Sequence, residues 1–143
     1  MSSNIYTTLI GKLETLLNSV DEVSKVYMHP IDRLKEYPSV VCIPTSYESS
    51  FETNQENLEI RRFKLVVVVG AVQTTIKTLY TSVLPKTVDG IRDKFAENWD
   101  GGSIDGHRVW YKLDSGEWGT GETDKGLEAW CELYLDIKLL TDN

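Results

Sequence analysis

NLEIRRFKLVVVVG, residues 57–70, is the stretch on which the fold turns. Its second half, Leu65-Val66-Val67-Val68-Val69, is as continuously apolar as a strand buried on both faces. Its first half sets Leu58, Ile60 and Phe63 among Glu59, Arg61, Arg62 and Lys64. A strand that begins amphipathic and ends apolar has one end inside a domain and the other reaching out of it.

Upstream, RLKEYPSVVCIPTSY (33–47) predicts a strand from Ser39 to Tyr47. Pro44 cannot donate to a ladder, so it belongs at an edge or a bulge. Residues 48–56, ESSFETNQE, read as an exposed turn into the long strand 56–71. The pair is expected to form a long hairpin with a polar tip and an apolar base.

Helical spacing of Ile5, Tyr6, Leu9, Ile10, Leu13, Leu16, Leu17 and Val20 predicts a helix over 3–20, with Ser3 or Asn4 as its cap. Val23 to Met28 reads as a short strand. A second helix is expected over 74–99, its stripe running from Ile76 through Leu84, Ile91 and Phe95 to Trp99. The stripe keeps phase across Pro85, which predicts one helix kinked there. Asp100-Gly101-Gly102 should end it. Strands are expected over 104–113 and 127–140, separated by a glycine-rich loop, DSGEWGTGETDKG. In the last strand Cys131, Leu133, Leu135, Ile137 and Leu139 alternate with Glu132, Asp136 and Lys138. The expected class is α+β in the order αβββαββ, a mostly antiparallel sheet with both helices packed on one face and a long projecting hairpin. No linker or repeat divides it, so residues 1–143 read as a single domain.

The chain is long enough to bury a core without staples. A formal charge of -7 argues against a general nucleic-acid binder, which needs a basic footprint. Cys42 and Cys131 lie in apolar strand patterns without CxxC spacing and are expected to be buried thiols. MSSNIYTT resembles no secretory leader, and no run approaches a membrane span. A soluble protein made in the cytoplasm is the expectation.

No motif carries chemistry. His29 and His107 stand in unrelated segments, without an HxH or HExxH pattern, and no metal site is expected. The loop glycines Gly116, Gly119, Gly121 and Gly126 fit neither a Walker pattern nor GxGxxG, and their acidic neighbours would repel phosphate. No serine has a GxSxG context. No enzyme activity and no cofactor are expected. Trp118, alone in that loop, either folds back on the sheet or anchors a partner.

Two signals stand out. Residues 45–60 hold Glu48, Glu52, Glu56 and Glu59 with no base, and Arg61, Arg62 and Lys64 follow at once. These charges either guard a sheet edge or pair with a neighbouring copy. Trp110 and Tyr111 are adjacent in one strand and point to opposite faces, so that either could face out. Trp130 and Tyr134 occupy the polar-facing register of the last strand; where exposed, these aromatics mark a contact surface.

The helix LIGKLETLL, YPSVVCIP leading into FETNQENLEIRRFKLVVVV, the helix end VDGIRDKF and two final strands together resemble the tail terminator and tail-completion proteins of long-tailed bacteriophages. The resemblance spans nearly the whole chain and rests on layout. It implies a structural virion protein, a homo-hexameric ring at the head-proximal end of the tail tube. Such a ring stops tube polymerisation and docks the head. The implied partners are further copies, the tail tube protein and a head-completion or neck protein. Genome DNA would pass through the lumen without specific binding, and no membrane is involved. Assembly would take place in the host cytoplasm. The family offers no catalytic residues; the interface candidates are Glu56, Glu59, Arg61, Arg62 and Trp118. Alternatives are another head-tail neck joining protein, or a small-molecule or peptide binding module around Trp110 and Trp130.

Overall fold

The structure, a computed structural model, describes residues 5–31, 34, 36–51, 56–71, 76–104, 106–114, 116–123 and 126–142. Helix α1 is Ile5–Asn18, followed by strands β1 (Lys25–Tyr27), β2 (Ser39–Phe51) and β3 (Glu56–Ala71). Helix α2 is continuous through Ile76–Thr78, Leu79–Val83 and Leu84–Glu97. Strands β4 (Asp100–Ile104), β5 (His107–Asp114), β6 (Trp118–Thr123) and β7 (Gly126–Asp142) complete the chain. The proposed caps Ser3 and Asn4 lie outside the described residues.

Seven strands form one mixed sheet in the order β1-β2-β3-β7-β5-β4, with β6 also paired to β7. The long strand β7 runs antiparallel to β3 over its whole length. Its other edge is shared, β6 taking Gly126 to Cys131 and β5 taking Tyr134 to Leu140. The α+β class holds, but the expected order αβββαββ does not. Two strands are added after α2, and β1 runs parallel to β2.

Both added strands are rich in glycine. Asp100-Gly101-Gly102 ends the helix and also begins β4, whose bulge at Gly101 lets the Tyr111 ring lie against the bare backbone. Gly106, at φ 81, turns β4 into β5. The segment expected to be a loop around Trp118 is β6, and Gly119 there lies under the Trp130 ring, where a Cβ would come within 2.1 Å. Cross-strand packing on a neighbouring aromatic overrides the poor strand propensity of glycine.

Core placement follows side-chain alternation. On β3 the buried Phe63, Leu65, Val67 and Val69 share a face with Val40 and Cys42 of β2 and with Ala129 to Leu139 at odd positions of β7. Leu9, Leu13 and Leu17 of α1, and Leu79, Leu84, Ile91 and Phe95 of α2, complete the same cluster. Both helices therefore cover one face, and each fully buried leucine contributes about 1.5–3 kcal/mol of transfer free energy. Pro44 stands at the register shift between Pro44 and Ser46, a bulge. The helix carries a wide turn just before Pro85. The Leu84 N–H donates to the Leu79 carbonyl, so the proline enters where bonding returns from five-residue to four-residue spacing. Trp99 does not extend the buried stripe: it follows the helix end and is 56% exposed.

The β2–β3 hairpin is longer than the sequence indicated. β2 continues to Phe51, opposite Asn57, and residues 52–55 lie outside the described residues. Among the residues whose side chains are described, the last buried position at this end is Leu139 of β7, opposite Glu59, and past it β2, β3 and β7 continue only to Phe51, Glu56 and Asp142, a short three-stranded blade.

Candidate assembly surface

Alternation splits the Arg61-Arg62 doublet between the two faces of the sheet. Arg61 points to the helix side, where its guanidinium lies 4.4 Å from the centre of the Tyr6 ring on α1. Its Nη2 donates to Glu59 Oε2 at 3.1 Å. The two side chains are only 12% and 19% exposed, and Arg61 Nε is buried without an acceptor. Such a pair is held mainly by packing and desolvated charge, and removing one partner strands the other.

Arg62 points to the open face. Its Nε and Nη2 donate to Asp136 Oδ1 and Oδ2 of β7 at 2.6 and 3.1 Å, a forked pair across the strands. The guanidinium also sits 5.8 Å from the Tyr134 ring. Glu56 begins β3 directly opposite Asp142 in register. Trp118 opens β6 opposite Cys131, 42% exposed and tilted against Tyr80 of α2 at 6.1 Å. The five sequence candidates thus fall in different places: Glu59 and Arg61 against α1, Arg62 on the open face, Glu56 at the blade end, and Trp118 at the β6 edge.

Register brings together charges that the sequence left apart. The open face also carries Lys64 on β3, Arg108 and Lys112 on β5, and Lys138 on β7. Among the described residues none of these four forms an ion pair. Arg108 lies over Trp110 at 4.9 Å, so that tryptophan is partly covered by its own strand neighbour. Trp130 is half-buried over Gly119. Tyr37 reaches across Gly70 on the same side and donates its hydroxyl to Glu128 Oε2 at 2.5 Å. Strict alternation in the last strand was the available signal for Lys138; the positions on β5 needed the pairing.

The remaining chemistry is quiet. Cys42 and Cys131 are free, buried thiols. Burial pushes Cys42 up to about 12, and burial together with the nearby Glu132 carboxylate pushes Cys131 up to about 11. Among the described residues no three histidine, cysteine or acidic side chains converge as metal ligands. No helix there is long and apolar enough to cross a membrane. A groove of about 510 Å³ lies on the helix side between α1 and β4, lined by Thr7, Thr8, Lys12, Asn98, Asp100 and Tyr111.

Compared with protein-family models and with curated protein sequences, the chain matches none.

Proposed function

We propose that the chain is a structural virion protein that forms a ring, a homo-hexamer, at the head-proximal end of a phage tail tube. In that position it stops tube polymerisation and offers the surface on which the head docks. The observation that carries this proposal is the blade. Strands β2, β3 and β7 leave a closed core and run on beyond it, while one face of their sheet stays uncovered by either helix. Strand ends and an open face outside the core are what a subunit needs in order to meet its neighbours, and the layout resemblance adds to this. Along its described strands the open face carries a row of charges, which suits docking. An overall charge of -7 suits a lumen that lets DNA pass without gripping it.

Native mass spectrometry across protein concentration, with negative-stain images, tests the ring. Addition to polymerising tail tubes tests the capping. The expected results are a sixfold ring with an open centre, and tubes that stop growing. A chain that polymerises by itself would be a tube subunit instead. A chain that neither forms a ring nor caps tubes would overturn the proposal.

A further inference from the structure

We infer that the groove between α1 and β4 binds a small zwitterion of the amino-acid kind, its carboxylate on Lys12 and the Tyr111 hydroxyl and its ammonium on Asp100 and Asn98. Such binding is a property of the free chain and does not depend on the tail reading.

A buried hydroxyl with nothing to bond points to the ligand. The Tyr111 ring stands edge-on to Phe95 at 5.8 Å and lies across Gly101, where a Cβ would come within 2.8 Å of it. The residue is only 6% exposed, yet its hydroxyl has no hydrogen-bond partner among the described residues. Buried polar groups are normally paired. Among the described residues the fully enclosed side-chain atom left without a partner is Arg61 Nε, so the Tyr111 oxygen is open to the groove that the residue lines. Burial pushes the phenol up from its ordinary value, so it keeps its proton and acts as a donor. Gly101 lines the same groove, and its carbonyl accepts from Lys12 Nζ at a long 3.4 Å. Phenol and ammonium thus meet at one glycine, and a carboxylate takes both as charge-assisted donors.

The groove also carries the opposite charge. Asp100 Oδ1 accepts the Gly102 N–H at 3.0 Å, and Oδ2 has no hydrogen bond or ion pair among the described residues. The Asn98 side-chain amide donates to the Lys94 carbonyl at 2.8 Å, which leaves its Oδ1 to accept. Lys12 and Asp100 line one groove without pairing with each other. A carboxylate alone would face Asp100 as a like charge, and an amine alone would face Lys12. A molecule with both charges satisfies the two together. An acidic side chain from a protein partner would leave Asp100 uncompensated. Helix α1 leaves room for the ligand: Gly11 lies on the groove wall, and no atom of the described residues comes within 4 Å of where its Cβ would stand. A mid-helix glycine costs stability, and no contact among the described residues requires this one. At about 510 Å³ the groove falls within the range of small-molecule sites, roughly 300–1,000 Å³.

The test is saturation-transfer NMR on the full chain with the common free L-amino acids, one at a time at millimolar concentration, followed by calorimetry on those that bind. At least one should bind, and N-acetylation or C-amidation of that amino acid should each weaken it about tenfold or more, the effect of one lost charge-assisted hydrogen bond. Tyr111→Phe keeps the ring on Phe95 and removes only the hydroxyl; Lys12→Gln keeps the stem and removes the cation. Each should raise Kd by about the same factor while melting like the parent. A helical side chain covers the turn before its own Cα, so Gly11→Leu lies over Thr7 and Thr8 on the groove wall. That variant should abolish binding and melt at or above the parent. The inference is overturned if no amino acid binds, if binding survives Gly11→Leu or is unchanged in Tyr111→Phe, or if the acetylated and amidated forms bind as well as the free one. Should no amino acid bind while Gly11→Leu blocks ring formation, the groove is a contact between copies and the inference falls.

Discussion

Arg61→Ala should be among the most damaging single truncations at a charged position, because the guanidinium works inside the molecule. Three losses add. The stack on Tyr6 is desolvated, and such contacts contribute about 1–2 kcal/mol. Glu59, 19% exposed, loses its cation, and stranding a partly buried charge costs about 1–2 kcal/mol more. The methylene stem also leaves a gap beside α1. A destabilisation of roughly 2–4 kcal/mol is expected, or about 3 °C of melting temperature per kcal/mol for a chain of this size.

Arg62→Ala is the internal control. It removes a forked ion pair with good geometry, but Arg62 is 46% exposed. Lys112 stands opposite Asp136 on the other neighbouring strand and can take over the carboxylate. About 1 kcal/mol or less is expected. Urea unfolding followed by circular dichroism gives both values. A double-mutant cycle with Tyr6→Leu should return a coupling of roughly 0.5–2 kcal/mol for Arg61 and none for Arg62. Arg61→Ala within about 0.5 kcal/mol of the parent, or Arg62→Ala costing as much as Arg61→Ala, would refute the placement. For the same reason, reversing both arginines is not a clean test of assembly, because Arg61→Glu would set a second carboxylate beside Glu59 against α1.

Two further outcomes follow from burial and close approach. Cys42 and Cys131 should resist iodoacetamide at pH 8 in the native protein and react on unfolding, since a thiol held at about 12 is roughly one part in ten thousand thiolate there. Both thiols hold their protons more tightly folded than unfolded, so their contribution to stability is intact below about 9 and is lost as pH rises from there through 11 and 12. A denaturation midpoint that does not fall over that range would contradict the burial. Gly119→Ala should cost about 1–3 kcal/mol, because its new methyl displaces the Trp130 ring; unchanged Trp emission and stability would show that the ring does not lie there.

Much of the fold was legible because two strands carry unambiguous patterns. The bounds of β3 followed from its charged alternation running into Leu65 to Val69, and the central part of β7 from strict alternation over Cys131 to Leu139. Strands β4 and β6 were not legible. Asp100-Gly101-Gly102-Ser103 and Gly119-Thr120-Gly121 have little intrinsic preference for strand, and they take that state because β5 and β7 offer edges to pair with. The candidate arginines were legible as charges but not as contacts. Nothing local says that Tyr6, some 55 residues away in sequence, waits beneath Arg61. Trp99 kept helical phase but fell beyond the last turn, where periodicity no longer dictates burial.

Alternation also decides which charges are available for assembly. Adjacent arginines on a strand must face opposite ways, and here one is used against α1 and the other on Asp136. Among the described residues of the open face, the cations left for a neighbour are therefore the scattered ones, Lys64, Arg108, Lys112 and Lys138. In a chain of net charge -7 this gives association an unusual dependence on salt. At about 0.01 M salt the screening length is roughly 30 Å, so whole copies repel one another. At about 0.15 M it is roughly 8 Å, and local acid–base contacts act with the long-range repulsion removed. At about 1 M it is roughly 3 Å, and the contacts themselves fade. Sedimentation across this range should show self-association passing through a maximum. A steady rise with salt would mean that the apolar residues of the open face, not its bases, carry the contact; a steady fall would mean that the net charge does not oppose it.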